Sequence, residues 1–183
     1  MVSAMAKLGR RQVFLAVSGA LLVAGGVAGV VRTRGYEVPD RELASLAPWQ
    51  FAVVQCLARR VCATDRDDGS VPSADDVDVG GFVERYGASM PSALRRDLLR
   101  LFGVVEHVLP VLSKKTSRFT KLSAAEQDEV LSKMEASDQD LLRGAFAGVK
   151  SLLFMGYYRD PRTWKVLGYE GPFVGRPAGG WTG

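Results

Sequence analysis

A catalytic centre needs titratable groups that converge, and this chain offers few: one histidine, His107; two cysteines, Cys56 and Cys62; and an acidic run, Asp65-Arg66-Asp67-Asp68-Gly69. A single histidine leaves no set of imidazoles for a metal and little scope for a Ser-His-Asp relay. His107 follows Glu106 in the C-terminal part of a helical stretch, where a capping or surface role suits it better than catalysis. The acidic run invites a calcium loop. An EF-hand, however, wants carboxylates at positions one, three and five with glycine at six, and here Gly69 arrives at five. A solvated loop is the better reading. Cys56 and Cys62 lie six apart in a stretch that reads as helix, so they do not share a face, and buried thiols are expected rather than a bridge. There is no CxxCH and no cysteine cluster for iron–sulfur or zinc. Gly25-Gly26-Val27-Ala28-Gly29 follows no strand and is no phosphate cradle. The residues therefore assign this chain no catalytic, cofactor-binding or metal site.

Charge removes another class. The chain carries a net +4, but residues 1–35 hold Lys7, Arg10, Arg11, Arg32 and Arg34 and no acid, which leaves 19 basic against 20 acidic residues beyond them. The body is near neutral and has no global electrostatic reason to bind nucleic acid. A hydrophobic fraction of 47% against 24% charged supports a real core rather than disorder.

The basic N-terminal residues frame an uncharged run of 19, Val13 to Val31. Positive charge followed by an apolar stretch is the export-signal pattern; 19 residues would also span a bilayer, so a transmembrane anchor competes with it. Three features favour a twin-arginine signal. Arg10-Arg11 is followed by Gln12, Val13, Phe14 and Leu15, which resembles the consensus of two arginines, any residue, then apolar residues. The run is rich in glycine (Gly19, Gly25, Gly26, Gly29), so it is less apolar than a typical membrane helix. Arg32 and Arg34 follow it directly, which opposes a simple positive-inside anchor. The signal residues are thus Arg10, Arg11, Phe14 and Leu15. Gly9 stands where Ser or Thr is usual, and no A-x-A site follows, so cleaved and retained forms both stay open. Export by this route carries a folded cargo to the periplasm or cell envelope.

The elements behind these residues read as helices. Leu43, Leu46, Ala47, Val54, Leu57, Ala58 and Val61 mark one face of a helix from about 40 to 63. A polar loop follows. Ser73 with Asp76 three residues on is a capping-box start for a short helix to about Tyr86, and Gly87 and Pro91 punctuate. Leu94, Leu98, Leu101, Phe102, Val105, Leu109 and Leu112 form a stripe with Arg95, Arg96 and Arg100 off it. Ser123 with Glu126 is a second capping box, opening a helix with Val130, Leu131 and Met134 inward. Leu141, Leu142, Ala145, Phe146, Val149, Leu152 and Leu153 form the last stripe. The expected fold is all-α: a bundle of about five helices over 36–157, after an apolar signal or anchor helix in 1–35.

From Gly156 to Gly183 there are seven glycines and three prolines, so no regular helix is expected to persist, and 158–183 is read as an irregular tail. Six of the chain's 16 aromatics fall in these last 28 residues. Such a tail has to lie on its own bundle or on a partner, where Tyr and Trp are favoured. Tyr157, Tyr158, Trp164 and Tyr169 are the partner-binding candidates, with Tyr157 and Tyr158 expected mainly on the bundle.

The twin-arginine segment, the helical body, FTKLSAAEQDEVL (Phe119–Leu131) and MGYYRDPRTWKVLGYEGP (Met155–Pro172) together resemble the gluconate 2-dehydrogenase subunit 3 family. The resemblance implies a small subunit that holds no redox centre. Its partner would be a flavoprotein catalytic subunit of the glucose–methanol–choline group carrying the FAD, with a cytochrome c subunit as a further candidate. The small subunit would carry the signal read by the twin-arginine translocase, and the folded pair would be exported together. A stand-alone membrane-anchored helical protein with an interaction or structural role is the rival reading.

Replacing Arg10 and Arg11 together by lysine is expected to leave the protein in the cytoplasm, because an ammonium does not reproduce the planar guanidinium fork. Cell fractionation decides it: export of the double variant at the original level excludes the twin-arginine route.

Overall fold

In a computed structural model of the chain, the described residues are 35–37, 39–64 and 69–171. The chain divides into two units, Met1–Tyr36 and Glu37–Gly183, and the helices described belong to the second. Among the described residues there is no strand. Five α-helices among the described residues run longer than one turn: α1 (Pro48–Val61), α2 (Val79–Ser89), α3 (Ser92–Gly103), α5 (Ala124–Glu135) and α6 (Asp140–Tyr158). The fold is all-helical, as the periodicity implies.

α1 is the centre. It packs against α2, α3, α5 and α6, and buries Phe51, Val53, Val54, Leu57 and Ala58. It begins at Pro48 rather than near 40, and the reason lies in hydrogen bonding. The glutamate side chain of Glu84, on α2 and buried, accepts from the backbone N–H groups of Ala44, Ser45 (2.6 Å) and Leu46 (2.9 Å). The next N–H, of Ala47, donates to Gln50 Oε1 at 2.8 Å. Pro48, next again, has no N–H and suits the first helical position. Those donors are spent on side chains, so residues 41–47 form no helix, although Leu46 still reaches the core.

α2 also departs from the expected bounds. Ser73 and Asp76 do exchange capping hydrogen bonds, but they close a turn over 74–78. The helix starts only at Val79, capped by Asp78 in the left-handed region (φ 53°), whose Oδ1 accepts from Gly81 N at 3.1 Å. Burial raises the Asp78 carboxyl, but Arg41, bonded to both its oxygens at 2.9 and 3.0 Å, outweighs this and holds it below the ordinary carboxylate range. Gly87 lies inside α2 rather than ending it. A Cβ there would sit 2.8 Å from Ser45 Oγ, so glycine lets the 44–46 segment approach.

α3 buries only Phe102, and Leu94 in its first turn is 56% exposed. The expected stripe therefore holds at Phe102, Val105 and Leu109, with Leu98 and Leu101 partly buried against the core, and fails at both ends, since Leu112 is also exposed. The helix widens into a π segment, Val104–Val108, before a last α turn, α4 (Leu109–Leu112). Pro110 accounts for this: it cannot donate back into the helix, and its ring crowds the carbonyl of Glu106. The widened turn places Glu106 wholly inside. There its carboxylate accepts from Thr120 N (3.1 Å) and Thr120 Oγ1 (2.7 Å), and it pairs with buried Arg118 at 3.3 Å.

Thr120 belongs to a 3₁₀ turn, Phe119–Lys121, whose Phe119 is fully buried. Ser123 and Glu126 then form the expected capping box at the start of α5, and Val130, Leu131 and Met134 point inward. On α6, Phe146, Val149, Leu152 and Leu153 are buried as expected, but Leu141 is exposed.

Cys56 and Cys62 are free, Cys62 buried as expected and Cys56 only half-buried. Burial pushes both thiols up, Cys62 to about 12.

Glu84→Ala would strand the backbone donors of Ala44, Ser45 and Leu46 beside the core, while the Ser45 hydroxyl keeps the backbone carbonyl of residue 84. A loss of about 3 kcal/mol of stability is expected, read as a lower denaturation midpoint with an unchanged slope.

Candidate docking surface

The signal residues Arg10, Arg11, Phe14 and Leu15 lie outside the described residues, as do Asp65, Asp67 and Asp68 of the acidic run and Phe173 and Trp181 of the tail. Among the described residues no helix is long and apolar enough to cross a membrane, and no group of three His, Cys, Asp or Glu is placed to hold a metal ion. His107 sits within the π segment, half-buried with its ring 5.9 Å from that of Trp49, rather than at a helix end.

Tyr157, Tyr158, Trp164 and Tyr169 are brought together at the end of α6. Tyr157 is core: it is buried, and its hydroxyl donates to the Pro72 carbonyl at 2.9 Å. In this conformation it offers no ring to a partner. Tyr158 is half-buried, edge-on to Tyr157 at 5.2 Å and tilted against Phe154 at 5.7 Å.

The segment beyond is more regular than its glycine content suggests. A 3₁₀ helix covers Pro161–Leu167. Asp160 caps it, accepting from Arg162 N at 2.9 Å. Thr163, fully buried, donates from Oγ1 to the carbonyls of Asp160 (2.8 Å) and Tyr157 (3.3 Å). The segment is also tied to the turn before α2. Arg159 donates to Val77 O at 3.1 Å while lying over the Phe82 ring, and Arg162 donates to Asp76 O at 3.4 Å. Local side-chain caps thus replace the helix that glycine and proline forbid.

Trp164 is the strut of this segment. Its Nε1–H donates to Tyr158 O at 2.7 Å, and its ring stands 5.2 Å from that of Tyr169. Gly168 turns the chain at φ 63°, and Tyr169 N returns to Trp164 O at 3.1 Å. Gly171, at φ 111°, then lies against the indole, where a Cβ would come within 3.2 Å. Of its apolar side chains, Tyr169, 41% exposed, and Leu167, 59% exposed, face water, with Lys165 and Glu170 exposed beside them. Leu167 is not among the candidates that the sequence suggests; a leucine directly before a turn glycine is its only signal. This surface offers apolar contact rather than acid–base chemistry.

A protein-family model described as gluconate 2-dehydrogenase subunit 3 matches residues 48–171. No curated protein and no solved structure matches the chain.

The Asp160 cap should respond to acid. The Arg162 side chain, then its backbone N–H, holds the Asp160 carboxyl at about 2, below its ordinary 3.8. With the folded value depressed, the cap is complete above about pH 4 and is lost as pH falls towards 2. The Trp164 indole N–H resonance is expected to stay put from pH 7 to 4 and to move below that. Asp160→Asn should remove that acid transition.

Proposed function

Because the chain belongs to the gluconate 2-dehydrogenase subunit 3 family, we propose that it is the non-catalytic small subunit of an exported flavin-dependent dehydrogenase. In this reading it supports the folding, twin-arginine export and docking of the FAD-carrying catalytic subunit. The family description supports membership of a dehydrogenase complex. The finer roles rest on the residues of this chain.

Docking is supported by one observation: Leu167 and Tyr169 stand in water on a segment tied back to its bundle by Asp160, Arg162, Thr163 and Trp164. A tail serving only its own core gains from turning such groups inward. Holding them outward on a rigid base spares a binding partner the entropy of ordering them. Trp164 supports this display from beneath, while Tyr169 and Leu167 make the contact. Export is supported by Arg10-Arg11 before the glycine-rich apolar run. A route that carries folded cargo suits a subunit that must already be docked to its flavoprotein.

Tyr169→Ala and Leu167→Ala are expected to leave the melting of the isolated subunit within about 0.5 kcal/mol of the original. Each should weaken binding to the flavoprotein by about 2 kcal/mol, roughly thirtyfold. Trp164→Ala should lose stability as well as binding, because it removes the donor to Tyr158 O. Melts by circular dichroism and pull-down of the co-expressed flavoprotein decide it. If Tyr169→Ala and Leu167→Ala both retain full affinity, the docking assignment is wrong.

A further inference from the structure

Glycine inside a helix costs stability relative to alanine, so each one needs a reason. In this chain the reason is usually an internal neighbour. A Cβ on Gly80 would meet Phe51, on Gly81 Asp78, on Gly87 Ser45 and on Gly156 Phe82, each at 3.2 Å or less. Gly144 and Gly148, in the middle of α6, differ. A Cβ on either would meet nothing within 4 Å, and neither has a left-handed backbone. No contact among the described residues requires them.

They share a helix face with Leu141, Ser151 and Met155, at steps of three and four that repeat every seven residues. All five positions are exposed, Leu141 at 65% and Met155 at 51%, and none is charged. The charged neighbours are already engaged within the chain: Arg143 pairs with Asp140, and Lys150 with Glu135 at 2.7 Å. Beside this face runs a groove of about 400 Å³, lined by Phe146, Ala147, Ser151 and Phe154 together with the charged Glu135, Arg143 and Lys150.

We propose that this face of α6 seats a helix of the catalytic subunit, crossing at Gly144 and Gly148 with side chains reaching the groove over Phe146 and Phe154. The inference rests on the small-subunit reading above and names where the larger contact lies. Three observations select the occupant. The family is that of a subunit, so other subunits exist to cover a face. The face is uncharged and its bordering charges are internally paired, which complements an apolar surface rather than an acidic or basic one. Two glycines a turn apart admit another backbone closely, which a helix exploits better than a loop. Met155 lies one turn before Tyr158, whose carbonyl holds Trp164, so the face continues towards the Leu167–Tyr169 display.

The test uses the full chain and the purified flavoprotein. Gly144→Ala and Gly148→Ala should raise the melting temperature of the isolated subunit while weakening flavoprotein binding at least tenfold. Gly148→Leu should weaken it at least a hundredfold with the melting temperature no lower than the original. A lower melting temperature in the alanine variants overturns the premise that the space is open. Original affinity in Gly148→Leu overturns the face but leaves the small-subunit reading intact. An unaltered chain that binds no flavoprotein removes that reading, and this inference with it. If the isolated chain forms a dimer that Gly148→Leu splits, while flavoprotein binding is unchanged, the face belongs to a second copy and the proposal fails.

Discussion

A carboxylate inside a protein must find donors, and Glu84 finds them in the backbone of a segment some 40 residues earlier in the chain. That requirement organises much of the fold. It fixes where α1 begins, because the N–H groups before Pro48 are turned towards side chains. It holds α2 against the entry to α1, and so sets the platform on which the turn before α2 and the end of α6 meet. Glu106 repeats the solution in the π segment, taking Thr120 and Arg118 and so fixing the loop that leads into α5. Two buried acids with specified donors do what apolar packing alone does poorly: they choose one arrangement among several compact ones.

The readable parts of the fold are local. The Ser123–Glu126 box needs only four residues of sequence, and it opens α5 where expected. The inward faces of α5 and most of α6 follow from spacing. The bounds of α1 and α2 do not, because their causes are distant: Glu84 reaches Ala44, and Arg41 reaches Asp78. Periodicity carries no trace of such pairs. Leu94 and Leu112 fit the stripe of α3 and α4 but lie at its ends, where both stay exposed. The π segment is written in Pro110, a helix-breaking residue set among good helix formers, and in Glu106, an acid on an otherwise apolar stretch.

The C-terminal segment shows why composition misleads about irregular chain. Glycine and proline do exclude a long helix there, yet Asp160, Thr163 and Trp164 supply from their side chains the bonds that the backbone cannot make with itself. The four aromatics consequently differ in kind. Tyr157 belongs to the core, Tyr158 to its margin, Trp164 to the frame, and Tyr169 to the surface. The motif MGYYRDPRTWKVLGYEGP reads, in three dimensions, as a helix end, a cap, a strut and a presented ring.

The two cysteines bear on how such a chain would fare in an oxidising compartment. Disulfide exchange and peroxide attack both proceed through the thiolate. Cys62, buried at the end of α1 with its thiol raised to about 12, holds almost none of that form at neutral pH, and burial moves Cys56 in the same direction. For a chain exported already folded, as proposed above, that burial would slow the oxidation of both thiols.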